Sequence, residues 1–239
     1  MAKLEREVYR SRLANDFQNL LKNSGGTEKA FQSFFEANPC LVPGSHDELA
    51  SFIDPTGHSP FRQVLVTQPK ISGIQNKIPD FMWLASDSSV FSPVFIEIEA
   101  PNKTYFTKNS NPTAKFSQAL KQIKEWKSIL NKSENRLKFF EDYNIPQDYR
   151  DLLFEPKFVL VYGRRSEYEN DKYLKNLRAE YQGNNEYIMS YDRIKPMYMH
   201  SNFITCKVKA SKYYVTNITP MFDINSYHWD VAKLIDFEK

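Results

Sequence analysis

The chain has 239 residues, with 32 Lys and Arg against 29 Asp and Glu, and therefore a net charge of only +3 at pH 7. Hydrophobic residues make up 41% and aromatic residues 15%, which is enough for a folded core and excludes a disordered chain. Two cysteines, and four histidines without metal-binding spacing, exclude a disulfide scaffold and a zinc module. No apolar run approaches the roughly 20 residues of a membrane span, and the charged N-terminus does not resemble a signal peptide. We therefore expect a cytoplasmic protein that does not enter a membrane.

Two helices are predicted in the N-terminal region. Residues 3–23 have amphipathic spacing, and a pair of glycines ends that pattern. Thr27 is a predicted N-cap for the second helix, with Glu28 in its first turn. Residues 44–60 are rich in Ser, Asp, Gly and Pro and predict a loop.

The rest of the chain alternates between predicted strands and helices. Strands are predicted at 62–68, 79–85 and 94–100, and a strong amphipathic helix from 113 to 130. The later predicted elements are a buried strand at 157–165, a charged helix at 168–181, a strand at 186–192, a strand-rich segment after Pro196 and a short terminal helix. This order indicates one α/β domain with a mixed central sheet flanked by helices.

The segment VFIEIEA at 94–100 has the clearest chemical pattern. Because side chains alternate between the two faces of a strand, Glu97 and Glu99 project from the same face, close together. Like charges at this spacing repel, and a divalent cation such as Mg²⁺ or Mn²⁺ would relieve the repulsion. A half-exposed strand whose acids are neutralised by lysines would give the same alternation.

The preceding strand adds a third carboxylate. If residues 79–85 and 94–99 pair as an antiparallel hairpin, Asp80 lies near Glu97 and Glu99 at the same end of the sheet. Three carboxylates in that position favour a metal site over a salt-bridged face. The Pro-Asp dipeptide alone is a weak signal, because it is also frequent in turns.

The helix predicted after the hairpin carries a polar side chain at the edge of its apolar face. Gln122 lies about 80° from the centre of the apolar stripe, by helical geometry. It is either a surface residue or, if the helix packs beside the hairpin, a contact to a water or a phosphate at the metal site. The stripe consists of Phe116, Leu120, Ile123 and Leu130.

Three segments carry a resemblance to a known superfamily: IPDF at 78–81, FIEIEAP at 95–101 and QIKEW at 122–126. Together they resemble the PD-(D/E)xK nucleases and, within that superfamily, most closely the nuclease domain of the Shedu anti-phage defence family. The supporting stretches are TEKAFQSFFEANP at 27–39, FTKNSNPTAKFSQALKQIKEW at 106–126, VLVYGRR at 159–165, MSYDRI at 189–194 and VTNITPMF at 215–222. The resemblance implies a restriction-endonuclease-like fold, with a single nuclease domain over 27–239 and an N-terminal helix within 1–26.

The resemblance also implies roles for individual residues. Asp80 and Glu97 match the two acids of the motif and would be direct ligands of Mg²⁺, for which Mn²⁺ could substitute. Glu99 stands where the superfamily usually has Lys, and it could act as a general base or as a ligand of a second metal ion. Lys108 is then a candidate replacement cation near the phosphate, or it is a solvated loop lysine. Glu28 fits the superfamily's N-terminal acid, although its position at a helix N-terminus needs no catalytic role.

Basic residues follow the acidic segment. From Lys115 to Lys138 the chain has seven basic residues and two acidic ones. Contacts from such residues to phosphates give salt-sensitive affinity without sequence preference, and no base-reading motif is visible. We predict DNA contacts from Lys108, Lys115, Arg164 and Arg165, whereas a solvated helix face explains the lysines in the middle of the helix.

The leading hypothesis is a Mg²⁺-dependent DNA endonuclease or nickase of prokaryotic anti-phage defence, acting on phage or plasmid DNA. Family analogy implies products with a 5′-phosphate and a 3′-hydroxyl. Two alternatives stay open: a catalytically degenerate nuclease-fold protein that binds nucleic acid or acts as a scaffold, and a nuclease that acts on RNA. The resemblance also implies a homo-oligomer, a dimer or tetramer, and the aromatic residues after position 187 could bury its interface or complete the core.

Overall fold

The computed structural model describes residues 4–23, 27–45, 60–197, 203–222 and 235–237. Within these ranges the chain has a mixed α/β structure, as its sequence predicts. No helix in the described ranges is both long enough and apolar enough to cross a lipid bilayer.

Helices α1 and α2 precede the sheet, and the others connect or follow its strands. The α-helices of the described residues are α1 (Arg6–Asn23), α2 (Glu28–Ala37), α3 (Ala114–Leu130), α4 (Ser133–Asp142), α5 (Gln147–Arg150) and α6 (Lys172–Glu180). Thr113 begins α3 as a true N-cap, because its side chain accepts a hydrogen bond from Phe116 N at 3.2 Å. Thr27 occupies the predicted N-cap position of α2 but makes no such bond.

One mixed sheet contains all the described strands. They are β1 (Val64–Thr67), β2 (Phe81–Ser86), β3 (Val90–Ile98), β4 (Leu153–Phe154), β5 (Lys157–Val161), β6 (Glu186–Met189), β7 (Ile204–Lys209), β8 (Lys212–Ile218) and β9 (Ile235–Phe237). The spatial order is β6-β5-β3-β2-β1-β7-β8-β9, and β4 pairs with the beginning of β3.

The predicted terminal helix is wrong at residues 235–237, which form β9 and pair in parallel with β8. The edge of β8 has unpaired backbone N–H and C=O groups. The hydrogen bonds that residues 235–237 make with this edge outweigh the local preference of their sequence for a helix. The rest of that predicted helix lies outside the described residues.

The predicted hairpin of β2 and β3 is present at the centre of the sheet. The two strands are antiparallel, with Phe81 opposite Ile96 and Met82 opposite Phe95. On its other edge β3 pairs in parallel with β5, and β2 pairs with β1. Each strand of the hairpin therefore has a neighbour on both sides, which fixes its backbone.

Helices cover both faces of the hairpin because its side chains alternate. Phe95 and Met82 face one hydrophobic core, which also contains Phe116, Ile123 and Trp126 of α3. Full burial of each such large apolar side chain contributes roughly 1.5–3 kcal/mol, which holds α3 against this face. Any polar side chain of β3 that points to the same face therefore lies beneath or beside α3.

The opposite face is covered by the two N-terminal helices. Ile96 shares a second core with Leu13 of α1 and with Phe31 and Phe35 of α2. Tyr9 of α1 also donates a hydrogen bond from its hydroxyl to Asn38 Oδ1, at 3.0 Å. The N-terminal helix thus packs directly against the sheet rather than standing apart from it.

Several aromatic residues after position 187 complete these cores. Tyr191 and Phe203 are buried in the core under α1 and α2, and Tyr213 in the core under α3. The others either are half-buried or lie outside the described residues. The oligomer implied by the resemblance stays a prediction.

Candidate functional site

Two carboxyl groups meet where β2 begins and β3 ends. Continuing the hairpin register by one position beyond the pair of Phe81 and Ile96 brings Asp80 opposite Glu97. Asp80 Oδ2 accepts a hydrogen bond from the backbone N of Ile98 at 2.8 Å, and the two carboxyl groups lie within hydrogen-bonding reach of each other. The hairpin therefore places the two acids together, as the sequence predicts.

Both acids are perturbed by burial and by each other. Burial raises the pKa of Asp80 to about 7, the hydrogen bond from Ile98 N opposes this rise, and the charge of Glu28 adds to it. Burial and the charge of Asp80 raise the pKa of Glu97 well above its usual value. Neither carboxyl group forms a salt bridge with another described residue. Two buried carboxyl groups in contact without a cation retain a shared proton, and a bound cation would displace it.

Helix α3 brings Gln122 to this pair. Gln122 Nε2 donates a hydrogen bond to Glu97 Oε1 at 3.3 Å. The neighbouring Ile123 is buried against the sheet, which turns the adjacent position toward the end of the hairpin. Helix α3 packs beside the hairpin, and Gln122 is a hydrogen-bond donor to one oxygen of Glu97 rather than a free surface residue.

Glu99 has a different partner from the two acids that precede it. It is buried just beyond the end of β3, where its backbone N donates to Val161 O at 2.9 Å. Its Oε2 contacts Lys103 Nζ, and that ammonium also lies 3.6 Å from Glu28 Oε2. Lys103 thus forms ion pairs with both Glu99 and Glu28. Among the described residues, no group of three or more His, Cys, Asp or Glu side chains is arranged to hold a metal ion.

Lys103 is the residue that reasoning from the sequence missed. A tight turn follows β3, in which Lys103 N donates to Ala100 O at 3.1 Å and brings the lysine back toward the end of the strand. The detectable signal is a lysine four positions after the last acid of the motif. That spacing is informative only when the chain between the two residues folds into a turn.

The two lysines predicted to contact DNA are at the surface. Lys108 is exposed in a loop where Ser110 N donates to Thr107 O at 2.9 Å, and it forms no hydrogen bond or ion pair with another described residue. Lys115 is exposed in the first turn of α3. Both are available to an approaching polyanion, and the structure does not bring Lys108 into contact with the acids.

The two predicted arginines lie in a turn after β5. Arg164 Nε and Nη2 donate to Asp192 Oδ1 at 2.9 and 2.7 Å, and Arg165 N donates to Asp192 Oδ2 at 2.6 Å. Arg164 therefore holds two turns together, whereas the side chain of Arg165 is exposed. Burial, and then the charges of Asp80 and Glu28, raise the pKa of the neighbouring Tyr191 well above its usual value.

A family model for the C-terminal region of the Shedu protein SduA matches residues 25–194, which is well over half of the chain. The matched range contains the hairpin, α3 and every side chain of the candidate site. No curated protein matches the chain. The match confirms the predicted resemblance to the Shedu family, and it suggests a role in anti-phage defence. The chain belongs to the Shedu family.

Proposed function

We propose that this protein is a metal-dependent DNA endonuclease or nickase of anti-phage defence, built on a PD-(D/E)xK-like fold. The observation that carries the proposal is the contact between the Asp80 and Glu97 carboxyl groups at the end of a central hairpin, without a salt bridge from the described residues. Such an arrangement costs stability in the protein alone, and perturbed carboxyl groups of this kind are typical of functional sites.

The two carboxyl groups fit Mg²⁺ or Mn²⁺. Mg²⁺ is a hard cation that proteins commonly hold through one or two carboxylates, with the other positions taken by waters and substrate phosphates. Asp80 and Glu97 supply two such oxygen donors, and neutralising their charges removes the repulsion between them. Carboxylate oxygens are ligands that suit Mg²⁺ and Mn²⁺.

The reaction proposed is hydrolysis of a phosphodiester. A water oxygen forms a bond to phosphorus, the bond from phosphorus to the 3′ oxygen breaks, and that oxygen takes up a proton from solvent water. The products carry a 5′-phosphate and a 3′-hydroxyl. A divalent cation, when bound, supplies acidification of water and neutralisation of phosphate charge. Asp80 and Glu97 would hold it, while the hydrogen bonds from Ile98 N and Gln122 Nε2 keep one oxygen of each acid in place. Glu99 is the candidate acceptor of the proton that the attacking water releases.

Exposed cations on the described surface support contact with DNA. Lys108, Lys115 and Arg165 have exposed side chains, and the basic segment of α3 extends from Lys115. Phosphate contacts from such side chains give affinity that falls as salt rises and depends little on sequence. Arg164 is the weakest member of this set, because Asp192 already occupies its guanidinium group.

The test is cleavage by the purified full chain of supercoiled plasmid, linear duplex and RNA, with Mg²⁺ or with EDTA. We expect cleavage of DNA only with metal, and a loss of about 1,000-fold or more in Asp80→Asn and Glu97→Gln, since each removes a charge that the metal needs. Asp87→Asn is the matched control, because Asp87 lies at the other end of the same hairpin and only caps its turn. Cleavage by Asp80→Asn and Glu97→Gln at the rate of the unmodified protein would contradict the proposal, and cleavage of RNA alone would redirect it.

A second candidate function is a nucleic-acid-binding or scaffold protein in which catalysis has been lost. It is favoured by the acid at position 99, where the resembling superfamily usually has a lysine, and by the ion pair that already neutralises this acid. Calorimetric titration with Mn²⁺ separates the two functions. A nuclease should show heat of Mn²⁺ binding that is lost in Glu97→Gln. A degenerate protein should bind DNA but show no Mn²⁺ binding that depends on Glu97.

A further inference from the structure

We propose that Lys103, held by Glu99 and Glu28, supplies the positive charge that contacts the reacting phosphate, so that this lysine rather than Lys108 takes the place of the motif lysine. The inference rests on the proposed phosphodiester hydrolysis and assigns one residue of that same site. Its basis is the position of the Lys103 ammonium, which forms an ion pair with Glu99, two residues beyond Glu97, and lies 3.6 Å from Glu28 Oε2.

The backbone around Lys103 is fixed from several sides. Lys103 N donates a hydrogen bond to Ala100 O. The carbonyl of Thr104 accepts hydrogen bonds from the hydroxyls of Tyr162 and Thr113, at 3.2 and 2.8 Å. Tyr105 N donates to the carboxylate of Glu167 at 2.9 Å. A lysine on such a segment has its Cα held in place before substrate arrives, and preorganised charge is the kind that stabilises a transition state.

The ammonium group of Lys103 has capacity for a phosphate. A lysine ammonium has three N–H donors. One contacts Glu99 Oε2, and Glu28 Oε2 at 3.6 Å is beyond ordinary hydrogen-bond length and attracts mainly by its charge. Lys103 is also only half-buried, whereas Glu99 is 9% exposed. The acids therefore hold the lysine from the protein side and leave donors for an oxygen on the solvent side.

Lys108 lacks this arrangement. Its side chain is exposed, and it has no ion pair or hydrogen bond to another described residue that would aim it at the acids. An exposed lysine loses side-chain entropy when it is ordered by substrate, which reduces what it contributes to a reaction step. Lys108 is thus suited to general attraction of DNA and Lys103 to a defined contact with one phosphate.

In the reaction, Lys103 would donate a hydrogen bond to a non-bridging oxygen of the phosphate as the water attacks. Negative charge grows on the phosphoryl oxygens as the new bond to phosphorus forms and the bond to the 3′ oxygen breaks. Lys103 keeps its proton throughout, so the proton balance of hydrolysis is unchanged. Its contribution is charge stabilisation, which acts on the chemical step more than on DNA affinity.

The experiment compares Lys103→Met with Lys108→Met in the full chain, measuring the single-turnover rate of plasmid nicking at saturating protein. We expect Lys103→Met to lower that rate about 100-fold, the lower end of what loss of one preorganised donor costs, with DNA affinity nearly unchanged. Lys108→Met should weaken DNA binding by less than about tenfold. Lys175→Met, which is exposed on α6 and lies outside the candidate site, is the control that should leave the saturated rate near that of the unmodified protein. Lys103→Arg keeps a cation at the position and should retain more of the rate than Lys103→Met.

Restoring the ammonium chemically distinguishes a role in the reaction from a role in folding. Lys103→Cys can be alkylated with 2-bromoethylamine, which forms a carbon–sulfur bond, releases bromide and leaves an amine close to the length of lysine. The native thiols are poor competitors, because Cys40 and Cys206 are both buried and burial raises the pKa of each thiol. We expect Lys103→Cys to melt like the unmodified protein and to bind Mn²⁺, but to nick DNA only after alkylation. The unmodified protein, treated in the same way, is the control.

The outcomes separate this inference from the proposed function. If Asp80→Asn nicks as fast as the unmodified protein, the proposed function fails first. If Asp80→Asn is inactive while Lys103→Met nicks at the full rate, the function stands and the role of Lys103 is overturned. If Lys103→Met and Lys103→Cys do not fold, Lys103→Arg decides, compared with the unmodified protein. A folded Lys103→Arg that loses about 100-fold or more of the rate overturns the role, because a cation at this position would then not be what the reaction needs.

Discussion

Two pairs of acids lie near the end of β3, and they are neutralised in opposite ways. Glu97 contacts Asp80, and no lysine or arginine of the described chain forms a salt bridge with either. Glu99, two positions further on, shares Lys103 with Glu28. Asp80 and Glu97 therefore need protons or a cation from solution to neutralise their charge, whereas Glu99 and Glu28 are neutralised by a lysine of the chain itself.

This difference shows that spacing in a strand does not determine what an acid does. Residues 97 and 99 have the same side chain and the same predicted orientation, but one lies beside α3 and the other at the turn that returns Lys103. Burying Asp80 and Glu97 together without a cation lowers the stability of the fold, and a metal ion bound between them would remove that loss. Glu99 and Glu28 are already neutralised by Lys103, so a metal ion would add little stability there. This second pair is therefore suited to hold the lysine in place.

The largest expected effect is on the pH dependence of the metal-free protein. Because burial raises the pKa of Asp80 from its ordinary value to about 7, the native state binds more protons than the unfolded state between about pH 4 and 7. The free energy of unfolding should therefore fall as pH rises through this window, in EDTA. Urea denaturation at several pH values measures it, with the double variant Asp80→Asn, Glu97→Gln as the control that removes the fall. A free energy that rises across the window as much in the native chain as in the double variant would contradict the contact between two protonatable acids.

A bound metal ion should restore the stability that the metal-free protein loses as pH rises. A ligand at 100 times its dissociation constant stabilises the native state by about 2.7 kcal/mol, provided that it does not bind the unfolded chain. We expect Mn²⁺ at that excess to raise the melting temperature of the unmodified protein near pH 7 by several degrees. Glu97→Gln should show almost no rise, and Asp87→Asn should show the full rise. An equal rise in Glu97→Gln would place the bound metal elsewhere.

Neutralising the two acids of β3 one at a time should change stability in opposite directions. In EDTA at pH 7, Glu97→Gln should raise the free energy of unfolding by on the order of 1 kcal/mol, because it removes one of two repelling groups. Glu99→Gln should lower it by about 1–3 kcal/mol, because the half-buried Lys103 loses its nearest partner. Chemical denaturation of the two variants side by side measures the difference, and equal signs would refute the contrast between the pairs.

The smallest expected effect comes from Gln122. Its hydrogen bond to Glu97 is 3.3 Å long and only partly buried, so Gln122→Ala should cost about 0.5–1.5 kcal/mol of stability. The cleavage rate should fall by less than about tenfold, since Glu97 keeps its contact with Asp80. Gln118→Ala, one turn earlier and exposed on the same helix, is the matched control. A loss as large as that of Glu97→Gln would make Gln122 part of the metal-binding group.

The sequence alone predicted the parts of this molecule that depend on local pattern. Alternation in VFIEIEA and the apolar run after Asp80 predicted the hairpin, and helical spacing placed Gln122 at the edge of α3. The ion pair of Lys103 with Glu99 was not predictable in this way, because it depends on how the turn after β3 folds. The same holds for Asp192, which meets Arg164 across 28 positions of sequence.

Gly163 makes two distant stretches of the chain depend on one another. Its φ is +56°, and a Cβ added there would lie 2.7 Å from the backbone oxygen of Lys103 and 3.0 Å from the ring of Tyr105. Even alanine would therefore push the turn that carries the lysine away from the end of β5. The position of the Lys103 backbone therefore depends on a glycine in a distant segment of the chain.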